Sequence, residues 1–401
     1  MKISGKGRRL NFTIDAPPSK SVYHRELICR FLSGDTKCLA DDPNDNNDIK
    51  ATKSCLKSLF DARDASASEA VLHPGESGST IRFLIPVAAA FLLGENKCSE
   101  RVVFKTEGRL FDRPFEELAD AMAPHGISIE KEEASRSIIV TGTMTPGKYV
   151  IDGSVSSQYI SGLLMALPLF SSESTIEVTG QMKSVHYIEL TLDALNKYAT
   201  PAAWEGNVFT PSFGGYKGDI SGDFKVEGDW SNGAFLLCLK KWSDIEVKNL
   251  DLNSRQGDKA IVDFLHFAEE KHSGNVTWDC TDTPDIAPYM AVVAPFLFDE
   301  ITLTGIGRLR IKESDRVMAV REQLLSIGVK TTETEDTLTV YKYEGTSPEV
   351  VSLSSYNDHR MAMCAILIAV ILHTEVELDN TECLNKSFPE FQEIIRRELM
   401  P

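Results

Sequence analysis

The amino-acid sequence predicts an α/β protein, of mixed α+β type, with two domains. At 401 residues the chain exceeds the usual size of a single hydrophobic core, so two domains are expected. A polar cluster followed by an apolar helical run recurs along the chain, and β-rich segments separate the runs. These observations indicate buried helices that alternate with strands in a repeated unit.

The repeated pattern begins with small or acidic polar residues and continues as an apolar run of roughly ten to fifteen residues. Its six copies lie at 17–32, 75–93, 153–170, 228–242, 282–298 and 354–372. The runs start with Ser, Thr, Asp or Asn, which are the residues that cap helix N-termini. Each copy therefore predicts one buried helix, and six copies indicate two domains of three units.

More amphipathic helices and β segments lie between the buried helices. Residues 115–130 and 317–333 carry apolar side chains at three- and four-residue steps, and Gly126 and Gly328 are suited to end these helices. Strands are predicted within 101–106, 137–142, 174–180, 244–250, 300–307 and 336–341. Each unit is therefore predicted to contain helix, strand, helix and strand in that order.

Composition excludes several classes of protein. The formal net charge of −17 argues against a nucleic-acid partner, whose phosphates require cations. No segment has the roughly 18 apolar residues that a membrane span needs, and the basic N-terminus lacks the apolar core of a secretory signal. The eight cysteines form no C-x-x-C pair and the eight histidines no H-E-x-x-H motif, so no metal is expected. We expect a cytoplasmic monomer.

Two charged clusters precede apolar helices, at 312–316 and 357–360. The N–H groups of a first helical turn lack partners in the helix, and the helix dipole favours anions there. Lys20, Arg25 and Gln158 also stand near helix starts, where a simple cap would not require them. The pattern predicts sites for small anionic molecules.

Six motifs, in order along the chain, resemble those of the 5-enolpyruvylshikimate-3-phosphate synthases. They are SKSVYHR at 19–25, SSQ at 156–158, PDIA at 284–287, RIKESDR at 310–316, NDHRMAM at 357–363 and NKSFPEF at 385–391. The resemblance implies the two-domain enolpyruvyl transferase fold, in which each domain has three βαβαββ repeats and a hinge joins the domains. One domain would comprise 1–18 with 227–401, and the other 19–226.

The resemblance also implies a 3-phosphoshikimate 1-carboxyvinyltransferase of aromatic amino-acid (chorismate) biosynthesis. The enolpyruvyl group of phosphoenolpyruvate would pass to the 5-hydroxyl of shikimate 3-phosphate through a tetrahedral intermediate, with release of phosphate and without a metal or cofactor. The implied contacts of shikimate 3-phosphate are Lys20, Ser21, Arg25, Ser156, Ser157, Gln158, Ser184, Asp285, Arg308 and Lys312. Those of phosphoenolpyruvate are Lys20, Gly78, Arg109, Gln158, Arg316, Arg360 and Lys386. Asp285, Glu313 and Lys20 would be catalytic.

These residue types suit the implied chemistry, because two polyanionic substrates repel each other and cations offset the repulsion. The planar arginine fork matches carboxylate and phosphate oxygens in two-point contacts. Asp285 and Glu313 would move protons. Since Lys312 and Arg316 favour the ionised form of Glu313, we expect this residue to become an acid only when both anionic substrates are bound.

Alternatives remain at the level of the sequence. The sister family that acts on UDP-N-acetylglucosamine shares the fold and donor, but residues 105–114 lack the cysteine that it carries near the donor. A non-catalytic anion-binding scaffold would not need both proposed acids, and an enzyme acting on RNA ends fits poorly with the charge of −17.

Arg113 competes with Arg109 for the donor site. The turn at 76–83 departs from the family, with Glu76 in place of an amide residue and Phe83 in place of proline.

Overall fold

The computed structural model describes residues 1–7, 9–199, 201–218, 220–221, 225–271 and 274–400. They divide into a discontinuous unit, Met1–Ser19 with Glu227–Pro401, and a continuous unit, Lys20–Val226. The prediction places Ser19 in the other domain. In the structure its backbone N–H donates to the Glu227 carbonyl at 2.7 Å, and its hydroxyl donates to Gln256 at 2.7 Å.

Helices lie where the repeated sequence pattern predicts them. The α-helices are α1 (Lys20–Leu32), α2 (Asn47–Asp64), α3 (Gly78–Leu93), α4 (Glu116–Met122), α5 (Ser157–Ala166), α6 (Val185–Tyr198), α7 (Trp230–Lys241), α8 (Ile261–Glu270), α9 (Ala287–Val293), α10 (Arg316–Ser326), α11 (His359–Ile371) and α12 (Phe391–Ile394). The six helices predicted to be buried are confirmed as α1, α3, α5, α7, α9 and α11. Gly126 and Gly328 both adopt φ of 85°, which suits the ends of α4 and α10.

The strands also agree with the predicted β segments. They are β1 (Lys2–Ser4), β2 (Thr13–Asp15), β3 (Glu69–Gly75), β4 (Arg101–Thr106), β5 (Ile127–Glu132), β6 (Ser137–Gly142), β7 (Lys148–Asp152), β8 (Thr175–Thr179), β9 (Ala203–Glu205), β10 (Val208–Thr210), β11 (Glu246–Lys248), β12 (Asn275–Asp279), β13 (Glu300–Thr304), β14 (Thr331–Glu333), β15 (Thr337–Tyr341), β16 (Val350–Leu353) and β17 (Glu375–Leu378). Their alternating burial leaves one face of most strands against the core.

The continuous unit has two four-stranded sheets, ordered β3-β4-β6-β5 and β7-β8-β10-β9. In each sheet the first two strands are parallel and the others pair antiparallel. The elements from β3 to β6 follow the order βαβαββ, and so do those from β7 to β10. Helices α3 and α5 pack closely, because Gly162 has no side chain and a Cβ there would lie 2.7 Å from the Arg82 carbonyl oxygen.

The expectation of three complete βαβαββ repeats in each domain requires a correction. The two four-stranded sheets of the continuous unit are part of two repeats, and helices α1 and α2 stand in place of a third. Among the described residues of this unit, no third sheet accompanies these two helices. In the discontinuous unit, β12 to β15 form a complete repeat with α9 and α10. Its other sheets, β1-β17-β16 and β11-β2, are completed by N-terminal strands. The described segment 33–46 connects α1 to α2 without a strand.

Each unit has its own hydrophobic core. Helix α11 is buried along its whole length, and α3 along almost all of it, so both have continuous apolar sequences rather than amphipathic stripes. In the part of the chain that the structure describes, no helix is long and apolar enough to cross a membrane.

Candidate active site

Polar side chains cap the helices that carry the predicted site residues. Ser77 accepts a hydrogen bond from the backbone of α3, and Ser156 does the same for α5. Asp315 accepts from the Met318 N–H at 3.0 Å in α10, and Asp358 from the Arg360 N–H at 2.9 Å in α11. These caps fix where the charged residues of each first turn stand.

Arg316, the first residue of α10, is the centre of a buried ionic cluster in the discontinuous unit. Its guanidinium donates to Asp285 at 2.8 Å, to Glu313 at 2.7 Å and to Asp358 at 2.8 Å. Burial acts to lower the pKa of Arg316, but the fields of Asp358 and Glu313 outweigh burial and raise it. One arginine therefore holds both predicted proton-transfer residues in place.

Further cations surround the carboxylates of Asp285 and Glu313. Lys312 Nζ lies 3.4 Å from Asp285 Oδ1, Arg360 Nε lies 4.0 Å from the same oxygen, and Lys386 Nζ lies 3.6 Å from Glu313 Oε1. Six of the predicted site residues are thus brought together, although 285 and 386 are far apart in sequence.

The carboxyl group of Asp285 is ionised in this surrounding. Burial acts to raise its pKa, but the cations Lys312, Arg360 and Arg316 outweigh burial and hold the pKa well below its usual range. Burial also lowers the pKa of Lys312. The cluster therefore presents an anion that can accept a proton, among cations that can bind anionic groups.

Tyr289 contacts this cluster, and the charge of Arg308 acts on Lys312 within it. The hydroxyl of Tyr289, a fully buried α9 residue, accepts from Arg360 Nη1 at 3.2 Å. Sequence reasoning did not identify Tyr289, because a tyrosine in an apolar helix is typical of a core residue. Arg308 lies in the helical turn that precedes Lys312, and its guanidinium donates to the Thr281 carbonyl at 2.9 Å.

The continuous unit holds a second group of predicted residues at the start of α1. Lys20 pairs with Asp48 of α2 at 2.9 Å. Arg25 is almost fully buried, and its guanidinium donates to Thr191 at 2.7 Å and to the Ser21 carbonyl at 2.6 Å. Burial lowers the pKa of Arg25 to about 10. These contacts fix the direction of the guanidinium.

Gln158 and Gly78 lie together at the starts of α5 and α3. The Gln158 side chain accepts from Arg82 at 3.0 Å and donates to Ser79 at 2.9 Å. A Cβ at position 78 would collide with Nη1 of Arg113 and would lie 3.3 Å from Nη1 of Arg82. Glycine is therefore required for the two arginines to approach the backbone of the turn.

The structure pairs Gly78 with Arg113 rather than with Arg109. Arg113 is 7% exposed, whereas Arg109 is an exposed residue of a short 3-10 turn. The sequence contained a signal for the burial of Arg113, because this residue alternates with the aromatic residues Phe111 and Phe115. Both phenylalanines are buried in the structure. Arg109 stays a predicted contact of phosphoenolpyruvate.

The predicted serines of this unit are at helix starts. Ser157 is the first residue of α5 and is 5% exposed. Ser184 precedes α6, is 3% exposed and adopts φ of 54°, a left-handed conformation. Tyr187, one turn into α6, lies with its ring 5.9 Å from the Arg25 guanidinium, and the sequence reasoning missed it.

The polar side chains of the structure do not form a metal site, as far as the described residues show. Within the described residues, no group of three or more His, Cys, Asp or Glu side chains could hold a metal ion. The arrangement instead supplies cations for anionic ligands and two carboxylates for proton transfer.

Known proteins resemble this chain along its whole length. Residues 5–395 match the EPSP synthase family (3-phosphoshikimate 1-carboxyvinyltransferase). The 3-phosphoshikimate 1-carboxyvinyltransferase of Clostridium kluyveri is 32% identical, and the alignment covers 98% of this chain and 96% of the relative. That of Clostridium acetobutylicum is 33% identical, with coverage of 94% and 92%.

Solved structures share the fold. EPSP synthase from Acinetobacter baumannii has a TM-score of 0.73 at 19% identity, over 99% of this chain and 97% of that chain. The enolpyruvyl transferase NikO from Streptomyces tendae has a TM-score of 0.66 at 13% identity, over 100% and 99%. The fold is therefore that of the enolpyruvyl transferases. The chain belongs to the EPSP synthase family, which confirms the resemblance inferred from its motifs.

Proposed function

We infer that this chain transfers the enolpyruvyl group of phosphoenolpyruvate to shikimate 3-phosphate and releases phosphate, a reaction of aromatic amino-acid biosynthesis. Membership of the EPSP synthase family supports the reaction. The observation that carries the assignment in the structure is the ionic cluster around Arg316, in which the proposed proton-transfer residues Asp285 and Glu313 stand among four cations. Such a cluster suits an anionic donor and the proton transfers of addition and elimination.

In the proposed addition, the 5-hydroxyl oxygen of shikimate 3-phosphate forms a bond to C2 of phosphoenolpyruvate. The methylene carbon gains a proton from Glu313, and the hydroxyl proton passes to Asp285. In the elimination, the bond from C2 to the phosphate oxygen breaks and the leaving phosphate takes the proton from Asp285. The methyl group returns a proton to Glu313, which restores the double bond. The ionised state of Asp285 is consistent with its role as the base.

Glu313 faces an electrostatic conflict in its proposed role as the acid. Its ion pairs with Arg316 and Lys386 favour the carboxylate, which cannot donate a proton. Bound phosphate and carboxylate groups would compete for the same cations. We therefore propose that Glu313 becomes an acid only when both substrates are bound.

We assign the remaining binding roles as follows. Phosphoenolpyruvate would contact Lys20, Gly78, Gln158, Arg316, Arg360 and Lys386, with Arg113 in place of Arg109. Shikimate 3-phosphate would contact Lys20, Ser21, Arg25, Ser156, Ser157, Gln158, Ser184, Asp285, Arg308 and Lys312. Because these residues are divided between the two units, we propose that the units close about a hinge when shikimate 3-phosphate binds. Small-angle scattering would then give a smaller radius of gyration with this ligand.

The test of the reaction is phosphate release from phosphoenolpyruvate, measured with and without shikimate 3-phosphate. Release that depends on shikimate 3-phosphate would support the proposal. Release that depends on UDP-N-acetylglucosamine would assign the sister activity instead. If neither acceptor stimulates phosphate release, both assignments are contradicted.

We also propose a cytoplasmic monomer, for which light scattering coupled to size-exclusion chromatography gives the mass.

A further inference from the structure

The turn Ser355–Asp358 has an unusual backbone immediately before α11. Tyr356 and Asn357 each adopt φ of 52°, and the Asp358 N–H donates to the Ser355 carbonyl at 2.8 Å. Two successive positive φ values are typical of type I′ turns, in which glycine and asparagine are favoured. Asparagine tolerates this region, but a bulky tyrosine rarely occupies it. Surrounding contacts must therefore hold the turn in this conformation.

Asp379 and Asn380, the two residues that follow β17, hold the turn from one side. Asp379 accepts from the Ser354 hydroxyl at 2.6 Å, and the Ser354 hydroxyl oxygen accepts from the Tyr356 N–H at 3.0 Å. The side chain of Asn380 donates to the Asn357 side-chain oxygen at 3.0 Å. Both left-handed residues are thus hydrogen-bonded.

Helix α10 holds the same turn from the other side. The Tyr356 hydroxyl donates to the carboxylate of Glu322. The side chain of Gln323, only 2% exposed, donates to the Ser354 carbonyl at 2.8 Å and to the Met361 carbonyl at 3.0 Å. Neighbouring residues of one helix therefore bind the chain before, within and after the turn.

Two arginines of the ionic cluster stand on the two helices next to this turn: α10, which is hydrogen-bonded to the turn, and α11, which follows it. Arg316 begins α10, and Arg360 lies in the first turn of α11. Asp358, the last residue of the turn, accepts from Arg316 Nε at 2.8 Å and from the Arg360 N–H at 2.9 Å. Asp358 therefore ties the Arg316 guanidinium to the backbone of the first turn of α11, on which Arg360 stands.

We propose that Tyr356 is a positioning residue, which acts through its left-handed backbone and its bond to Glu322 to set Arg316 and Arg360 for the phosphoenolpyruvate anion. The proposal rests on the assignment of these arginines to phosphoenolpyruvate. Tyr356 does not touch the reacting atoms in this scheme. Its loss should weaken binding of the donor more than that of shikimate 3-phosphate, most of whose proposed contacts lie on the continuous unit.

The test compares Tyr356→Phe and Asn357→Val with Asn357→Gly, and uses Tyr341→Phe of β15 as a matched tyrosine control. Loss of the bond to Glu322 should raise the KM for phosphoenolpyruvate roughly five- to tenfold in Tyr356→Phe. Asn357→Val should raise it similarly, because a β-branched residue disfavours positive φ. Asn357→Gly loses the same side-chain bond to Asn380 as Asn357→Val. Because glycine adopts this conformation freely, it should raise the KM less than Asn357→Val does. The dissociation constant of shikimate 3-phosphate alone, from calorimetry, should be unchanged in all four variants.

Calorimetric binding of inorganic phosphate gives a second readout that does not depend on turnover. We expect Tyr356→Phe to weaken phosphate binding, and Tyr341→Phe to leave it unchanged. If Tyr356→Phe and Asn357→Val leave both phosphate binding and the KM for phosphoenolpyruvate within twofold, the positioning role is wrong. If the unaltered enzyme binds phosphate but shows no release dependent on shikimate 3-phosphate, the proposed function fails, while the phosphate comparison still decides the role of Tyr356.

Discussion

Arg316 and Asp358 form a buried ion pair at 2.8 Å, with side-chain exposures of 2% and 0%. The pair connects the start of α10 to the cap of α11, two elements separated by more than thirty residues of sequence. An ion pair removed from water is retained only if both partners stay matched, because either charge alone would be strongly disfavoured. The pair therefore fixes the geometry of the cluster as well as its charge.

Asp358→Ala should destabilise the protein strongly. The substitution leaves the buried Arg316 with one carboxylate fewer and removes the N-cap of α11, so the free energy of unfolding should fall by about 3–5 kcal/mol. Denaturant unfolding monitored by circular dichroism measures this change. Asp299→Ala, which breaks an exposed pair with Lys342, is the control and should have little effect. Equal effects of the two substitutions would contradict a structural role for the buried pair.

Glu313→Gln should lower kcat by roughly 10²- to 10⁴-fold, because a general acid contributes about this much. The glutamine keeps the size of the side chain and an oxygen for Arg316, so binding of phosphoenolpyruvate should persist. Steady-state kinetics and calorimetry together separate the two effects. Glu333→Gln, at a partly exposed glutamate paired with Arg310, is the matched control. Near-normal turnover by Glu313→Gln would refute the proposed acid.

Arg113→Lys should raise the KM for phosphoenolpyruvate by roughly ten- to a hundredfold, while Arg109→Lys should leave it nearly unchanged. The reason is that lysine keeps the charge but loses the planar fork of donors, and a charge-assisted hydrogen bond contributes about 1.5–3 kcal/mol. Both variants are compared under identical assay conditions. A larger effect at Arg109 would restore the assignment suggested by the motif and remove Arg113 from the proposed site.

Gly78→Ala should impair the same donor site without unfolding the protein. Its Cβ would collide with Arg113, a flexible side chain that can move away. We expect a rise in the KM for phosphoenolpyruvate and little change in melting temperature, measured by calorimetry. Unchanged kinetics would show that the position of Arg113 against this turn does not matter for the donor.

Asp258→Asn should change how stability depends on pH. Burial raises the pKa of Asp258 to about 6, and the charge of Asp285 adds to the effect while Arg360 opposes it. Because the pKa lies above the unfolded value of about 3.9, the contribution to stability is complete below that pH and is lost as pH rises through about 6. An asparagine side chain cannot ionise, so the melting temperature of the variant relative to the unaltered protein should be higher at pH 7.5 than at pH 4.5. If the melting temperatures of the variant and the unaltered protein differ by the same amount at both pH values, the raised pKa of Asp258 is wrong.

The predicted buried helices and most strands agree with the structure because the signals are local. A cap residue followed by an unbroken apolar run predicts α3 and α11 without knowledge of any neighbour. The charged residues that start α10 and α11 were likewise recognisable from their order in the chain. Their convergence on Asp285 required the fold, since contacts across more than thirty residues depend on how helices pack.

The missing sheet beside α1 and α2 shows a limit of reasoning from repetition. The two helices follow the repeated pattern, but the described segment 33–46 between them has no strand, so pattern alone predicted a repeat that is incomplete. A similar limit applied to Arg113, because two arginines four residues apart are equivalent as motif members. Burial between Phe111 and Phe115 distinguishes them.

The sequence by itself determined the helical and strand periodicity, the family motifs and the residue types of the candidate site, because these are properties of neighbouring residues. Only the tertiary structure decided which arginine stands against Gly78, which carboxylates share Arg316, and how Tyr356 joins α10 to α11. Those relationships depend on the packing of distant segments, where small differences in distance and burial decide which charges meet.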